Sequence, residues 1–194
     1  MKRPSLIYGA VLTVLLLLIP VTRVPRTPSE EPLEDEFLST GTISRYDGLI
    51  RQAADDIGWD WRLLSAVVYH ESRFNKDAVS SKGARGLMQI RSQHYTEEEL
   101  SDPARNLQVG TRYLKKLENR YADTGPVEAV KFALASYNLG DGRIASLVER
   151  ADTLGMDVSH WDSVAVLLPK GHHTVSYVNN VLGTYSRYAR QYPL

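Results

Sequence analysis

Residues Trp59 to Arg91 read WDWRLLSAVVYHESRFNKDAVSSKGARGLMQIR. Asp60 is placed to cap a helix, and Leu63, Leu64, Ala66, Val67 and Val68 recur behind it at helical spacing. Counting back three, four and seven positions from Glu71 reaches Val68, Val67 and Leu64. A helix here therefore carries Glu71 on its own apolar face, near the end that leaves the core. Carboxylates rarely sit there without a partner or a task. Burial disfavours the charged form and raises the pKa toward that of a general acid at neutral pH. The competing expectation is an ordinary ion pair with Arg73, Lys76 or Arg85.

The stretch after Glu71 sharpens the choice. Ser80-Ser81-Lys82-Gly83-Ala84-Arg85-Gly86 is a turn of small residues where backbone can approach a ligand, and Leu87-Met88-Gln89-Ile90 opens a new apolar segment with a polar Gln inside it. Glu71-Ser72-x-Phe74, Ala78-x-Ser80, Gly83-Ala84-x-Gly86-Leu87-Met88-Gln89-Ile90 resembles the signature of the lytic transglycosylases with a soluble-type (SLT), lysozyme-like catalytic domain. Two further blocks are similar to that family's, Ala135-Ser136-Tyr137-Asn138-Leu139-Gly140 and Tyr177-Val178-x-Asn180-Val181. The Trp59-Asp60-Trp61-Arg62 opening and Trp161-Asp162-Ser163-Val164 bring the resemblance nearest to the membrane-bound transglycosylase F type. Departures from the family's pattern occur at Arg91-Ser92-Gln93-His94, at Leu139 and at Gly171-His172-His173, where an acidic residue is often found before Thr174.

The resemblance implies an all-α, lysozyme-like (goose-type) domain that acts on peptidoglycan strands. It implies that Glu71 protonates the oxygen between N-acetylmuramic acid and N-acetylglucosamine. As its conjugate base, Glu71 would then take the proton of the muramic acid's own C6 hydroxyl, which closes to a 1,6-anhydro end without water. Ser80, Gln89, Tyr137 and Asn138 match the family's substrate-lining positions, and Tyr177 its late tyrosine beside the acid. No metal and no cofactor is implied. Two other functions stay open: a goose-type muramidase using water in the same cleft, and a non-catalytic peptidoglycan-binding scaffold. A muramidase calls for a second carboxylate, for which Asp141 is first in line against a turn or cap role; Asp102 reads as a cap and Asp77 as loop surface.

The rest of the 194-residue chain gives organisation. There is no cysteine, which excludes disulfides, cysteine-ligated zinc and a lipidated cysteine. Net charge is zero, so no global field argues for nucleic acid. Lys2 and Arg3 precede an apolar run from Leu6 to Thr22, at the border between a signal-peptide core and a span of roughly 17–25 residues. Pro20-Val21-Thr22-Arg23 is a poor cleavage site, so residues 1–24 read as an uncleaved signal anchor in preference to a cleaved peptide. Residues 25–40, rich in Pro and Glu, read as a solvated tether, and 41–194 as the helical domain, held outside the cytoplasmic membrane.

Within that domain, Ser44 is placed to cap a helix through about Ile57, with Ile43, Leu49, Ile50 and Ala53 inward. Asp102-Pro103 opens another, on the stripe Leu107, Gly110, Leu114, Leu117 and Tyr121. Val127, Val130, Leu134 and Tyr137 make a third stripe closed by Gly140, and Thr174 opens the last helix, with Val178, Val181, Leu182 and Tyr185 inward. A short ribbon around Ser80–Gly86 is the one place for β-pairing. His70-Glu71 is not a zinc helix, since position 74 is Phe, and His172-His173 reads as a solvated loop.

Overall fold

A computed structural model describes residues 41–91 and 95–193. The anchor at 1–24, the tether at 25–40 and the departure at Ser92-Gln93-His94 lie outside the described residues. The described chain is helical throughout, with two isolated antiparallel bridges, Val79 to Arg85 and Arg85 to Ile90, forming the small ribbon expected in that loop.

Helix α1 spans Asp47–Asp55 and starts later than Ser44 suggests. Asp47 itself gathers the entering chain, its carboxylate accepting from the Ile43 and Ser44 N–H groups at 2.8 Å each. Ser44 thus belongs to the turn that feeds the helix. Ile50 and Ala54 are fully buried, and Leu49 packs against the core while half-buried.

Helix α2, Trp61–Ser72, is the centre of the domain. Asp60 caps it, accepting from the Arg62 N–H at 2.9 Å. Asp60 also pairs with the Arg62 guanidinium, whose Nη1 donates to the Tyr192 carbonyl at 2.7 Å. The start of α2 is thereby tied to the end of the last helix. From Trp61 to Val68 every residue is buried, so α2 is a core helix with no solvent stripe until its last turn. That last turn carries Glu71.

A short helix, α3 (Glu97–Ser101), leads into a long one, α4 (Pro103–Arg120), capped by Asp102 with Pro103 in its first turn. Leu107, Gly110, Leu114 and Leu117 form the buried stripe, and Tyr121 continues it past the helix end. A 3-10 turn at Ala122–Thr124 precedes α5, Pro126–Leu139, closed by Gly140 at φ 104°. The inward face of α5 follows the expected stripe in part: Leu134 is fully buried and Tyr137 packs against the core, whereas Val127 is 67% exposed and Val130 half-buried. Ala129, Phe132, Ala133, Ala135 and Ser136 complete the buried face. Val127 lies in the first turn of the helix, ahead of its buried face.

The stretch after Gly140, to which no element is assigned from the sequence, holds α6 (Asp141–Thr153) and α7 (Trp161–Ala165). Helix α6 carries the stripe Ile144, Leu147, Val148 and Ala151 at helical spacing, Ile144 and Ala151 fully buried and Leu147 and Val148 packed half-buried against the core. The chain ends on α8, His173–Gln191, packed against α2 and α5. Its cap is His172, whose Nδ1 accepts from the Thr174 N–H at 3.2 Å; Thr174 is inside the helix and fully buried. Among the described residues no helix is long and apolar enough to cross a membrane.

Candidate active site

The site begins where α2 is forced to stop. Arg73 and Phe74 adopt left-handed backbone at φ 53° and 60°, a conformation that costs about 1–2 kcal/mol for each such residue. Ser72, buried, donates its hydroxyl to the Leu87 carbonyl at 2.8 Å, pinning the returning loop to the helix end. Glu71, one residue earlier, is left at the junction of α2, the loop and α8.

The Glu71 carboxyl has one described hydrogen bond: Tyr177 on α8 donates its O–H to Oε1 at 2.6 Å. Burial pushes the Glu71 pKa up to about 7, against the pull of the Tyr177 bond, which favours the charged form. The three candidate cations are engaged elsewhere. Arg73 lies over the Tyr69 ring at 4.0 Å, Lys76 pairs with Asp77, and Arg85 pairs with Glu97. Among the described residues no carboxylate contributes to the Glu71 shift either. Asp141 sits at the start of α6 with Oδ2 on Arg120 at 3.0 Å, Asp77 is loop surface, and Asp102 is the α4 cap.

Tyr137, on the last turn of α5, donates its O–H to the Met88 carbonyl at 2.6 Å. Burial drives its own pKa well up, and the Glu71 charge adds to the shift, which places the phenol within electrostatic reach of the carboxyl. Tyr177 is pushed up in the same way by burial, by Glu71 and by Tyr137. These three side chains form one group.

The other sequence candidates support the walls of the site. Gln89, at φ 50°, donates Nε2 to the Ala78 and Gly86 carbonyls at 3.1 Å each, stitching the loop together. Ser80 accepts the Ala84 N–H at 2.9 Å and so closes the Ser80–Ala84 turn, its own O–H hydrogen not being used in that bond. Asn138 accepts from the Thr174 hydroxyl at 2.8 Å, fastening the end of α5 to the start of α8. Among the described hydrogen bonds, then, only Tyr177 touches Glu71 directly. Met88 is fully buried against Gly110, where a side chain would collide with its sulfur.

Asn106 is the residue that sequence reasoning missed. Fully buried on α4, it donates Nδ2 to the Arg85 and Leu100 carbonyls at 2.9 and 2.8 Å and accepts the Met88 N–H at 2.8 Å. It fixes the backbone on which Gln89 and the Tyr137 bond depend. A signal existed: Asn106, Gly110, Leu114 and Leu117 share one helical stripe, and a buried Asn must spend its amide on something. Tyr113 was also unmarked; its ring lies 5.7 Å from that of Tyr137. Among the described residues no group of three His, Asp or Glu side chains is arranged to hold a metal ion.

The Glu71 carboxyl, hydrogen-bonded by Tyr177, thus lies in an all-helical domain. The chain belongs to the family described as the transglycosylase SLT domain, whose pattern matches residues 48–158. Two curated relatives are called membrane-bound lytic murein transglycosylase F. One, from Desulfosudis oleivorans, is 34% identical over 74% of this chain and 36% of its own length. The other, from Maricaulis maris, is 34% identical over 72% of this chain and 35% of its own. The chain thus spans about a third of the length of these relatives. Among solved structures, the 70 kDa soluble lytic transglycosylase of Escherichia coli matches with TM-score 0.59 and 26% identity, over 75% of this chain and 24% of that one. The lytic transglycosylase Slt of Pseudomonas aeruginosa shares the fold at TM-score 0.58 and 22% identity, over 77% and 25%.

Proposed function

We propose that the protein is a peptidoglycan lytic transglycosylase in which Glu71 acts first as acid and then as base. The observation that carries this reading is the Glu71 carboxyl, its pKa raised to about 7 by burial, hydrogen-bonded by Tyr177 and shifted by no second carboxylate among the described residues. At neutral pH a large fraction of such a group is protonated and can donate to the glycosidic oxygen as the bond to the muramic acid C1 breaks. The electron pair stays with the leaving N-acetylglucosamine oxygen, which keeps the proton. The Glu71 carboxylate left behind accepts the proton of the C6 hydroxyl while that oxygen bonds to C1.

The nucleophile is already tethered to the reacting sugar, so closure carries no cost of bringing a second molecule into place. The Tyr177 O–H stabilises the carboxylate at the midpoint of this cycle and holds Oε1 in one orientation. Hydrolysis by an inverting or retaining pair would need a second carboxylate acting at the same bond. Asp141, the candidate for that task, is engaged by Arg120. We further place the domain on the outer side of the cytoplasmic membrane, with residues 1–24 as anchor and 25–40 as tether, in line with the names of the curated relatives. No metal or cofactor enters the proposed reaction.

Mass spectrometry of purified peptidoglycan digested by the protein, beside a Glu71→Gln control, tests the reading. Anhydro-muramic ends that depend on Glu71 are the expected result. Reducing muramic ends would replace it with hydrolysis.

A further inference from the structure

A groove of about 800 Å³ opens where α5 hands over to α6, beside the Asn138–Thr174 bond. Leu139, Leu147 and Leu168 give it apolar walls; Arg143, Arg150 and His172 give it polar ones. Arg143, Leu147 and Arg150 recur at four and three residues, which places them on one face of α6. Both arginines are exposed, and no acidic side chain lines the groove among the described residues. No Phe, Tyr or Trp ring lines it among those residues either, so it lacks the flat surface on which a neutral pyranose would stack.

The groove shares two elements with the Glu71 group: α5, which carries Tyr137, and α8, which carries Tyr177. The lining residue His172 caps α8 and precedes Tyr177 by five residues, about 7.5 Å along the helix axis, and the lining residue Leu139 follows Tyr137 by two on α5. A substituent hanging from a sugar held at Glu71 has a path of that order to cover. The guanidinium-bearing positions are seven residues apart on α6, about 10 Å along its axis. An extended peptide covers that length in roughly three residues.

We propose that this groove seats the peptide stem borne by muramic acid, with its carboxylates on Arg143 and Arg150 and its alanine methyls on Leu139, Leu147 and Leu168. The proposal rests on the transglycosylase reading of the Glu71 site. Charge complementarity selects the occupant: the stem is the part of the polymer that combines small apolar side chains with carboxylates a few residues apart. Arginine suits the task because its planar fork meets a carboxylate with two parallel donors.

The test compares the full-length protein with an R143Q/R150Q double variant on intact strands and on strands stripped of their stems by an amidase. The wild type is expected to cleave stem-bearing strands with the higher kcat/KM. In the double variant that preference should fall roughly fivefold, the scale of two solvent-exposed ion pairs, and the change should appear in KM. An unchanged preference, or an equal loss on both strands, would overturn the proposal. So would a loss confined to stripped strands, which would assign the arginines to the free lactyl carboxylate the amidase leaves.

A wild type that cleaves neither substrate would count against the role of Glu71 and leave the groove to a second measurement. Titrating a free stem peptide into isotope-labelled protein should shift the Gly142 and Leu147 amide resonances in the wild type and not in the double variant. No shift in either would sink the groove on its own.

Discussion

Tyr177 and Glu71 stand 106 positions apart in the chain, and the tyrosine donates its O–H to the glutamate Oε1 across 2.6 Å. Two opposing influences meet at that bond. Burial raises the Glu71 pKa and the Tyr177 hydroxyl lowers it, and the balance lies at about 7. The long sequence separation means that α2 and α8 must pack correctly before Glu71 meets the Tyr177 hydroxyl that moderates its raised pKa.

Removing the hydroxyl therefore has a definite sign. In Tyr177→Phe the stabilisation of the charged form is lost, so the Glu71 pKa rises above its present value. The alkaline limb of the kcat profile, where the acid loses its proton, should move to higher pH. At neutral pH kcat should fall more than KM rises, since the bond matters most when Glu71 is a carboxylate. A pH–rate profile of the variant on purified strands reads both effects. A limb that stays in place would remove Tyr177 from the control of the acid.

Glu71→Gln should lower turnover by about 10²–10⁴-fold, the usual range for loss of a general acid–base group. Glycan binding should persist, because glutamine keeps the shape of the side chain and can still accept from Tyr177. Binding by pull-down together with product analysis separates the two properties. Retained turnover would exclude Glu71 from the chemistry.

The same substitution should change stability in a pH-dependent way. The folded-state pKa of Glu71 lies above the ordinary carboxyl value of 4.5. Below that value both folded and unfolded chains hold the proton, and burial imposes no charge penalty. As pH rises from there to about 7 the unfolded chain ionises first, so stability falls through this window and levels off above it. The substituted amide has no proton to lose, which makes Glu71→Gln close to neutral near pH 4 and stabilising by roughly 3 kcal/mol at about pH 8. Urea midpoints of the two proteins across that range should diverge; parallel curves would contradict the raised pKa.

Much of this arrangement is legible in the sequence because it depends on local rules. Asp60 and Asp102 cap helices through side-chain bonds to nearby N–H groups, and Leu107 to Leu117 print their stripe directly. Glu71 is marked by its phase on an apolar helix. What stays hidden depends on contacts between elements. Helix α6 is the exception, since Ile144, Leu147, Val148 and Ala151 print its stripe by the same local rule. The start of α8 does depend on them: His172 caps it while the Thr174 hydroxyl meets Asn138. Gln89 and Ser80 show the same limit: their type and spacing mark a cleft edge, whereas their described bonds run to the loop's own backbone.

The support of that loop gives the last prediction. Asn106 makes three hydrogen bonds, to the Arg85 and Leu100 carbonyls and the Met88 N–H. Asn106→Ala takes this partner from the buried Leu100 carbonyl and Met88 N–H, while the Arg85 carbonyl keeps the Ile90 N–H at 2.9 Å. A loss of about 2–4 kcal/mol is expected from stranded buried groups. Gly86 lies against the same amide: its φ is 76°, and an added Cβ would strike the Asn106 side chain and the Leu100 carbonyl. Gly86→Ala should destabilise through strain and collision together. The two changes should not add, because Asn106→Ala clears part of the space that the new methyl at position 86 would need. A double-mutant cycle by urea denaturation should show the pair costing less than the sum by at least about 0.5 kcal/mol. Additive costs would mean that the loop moves away from Asn106 and that Gly86 is required for its backbone conformation alone.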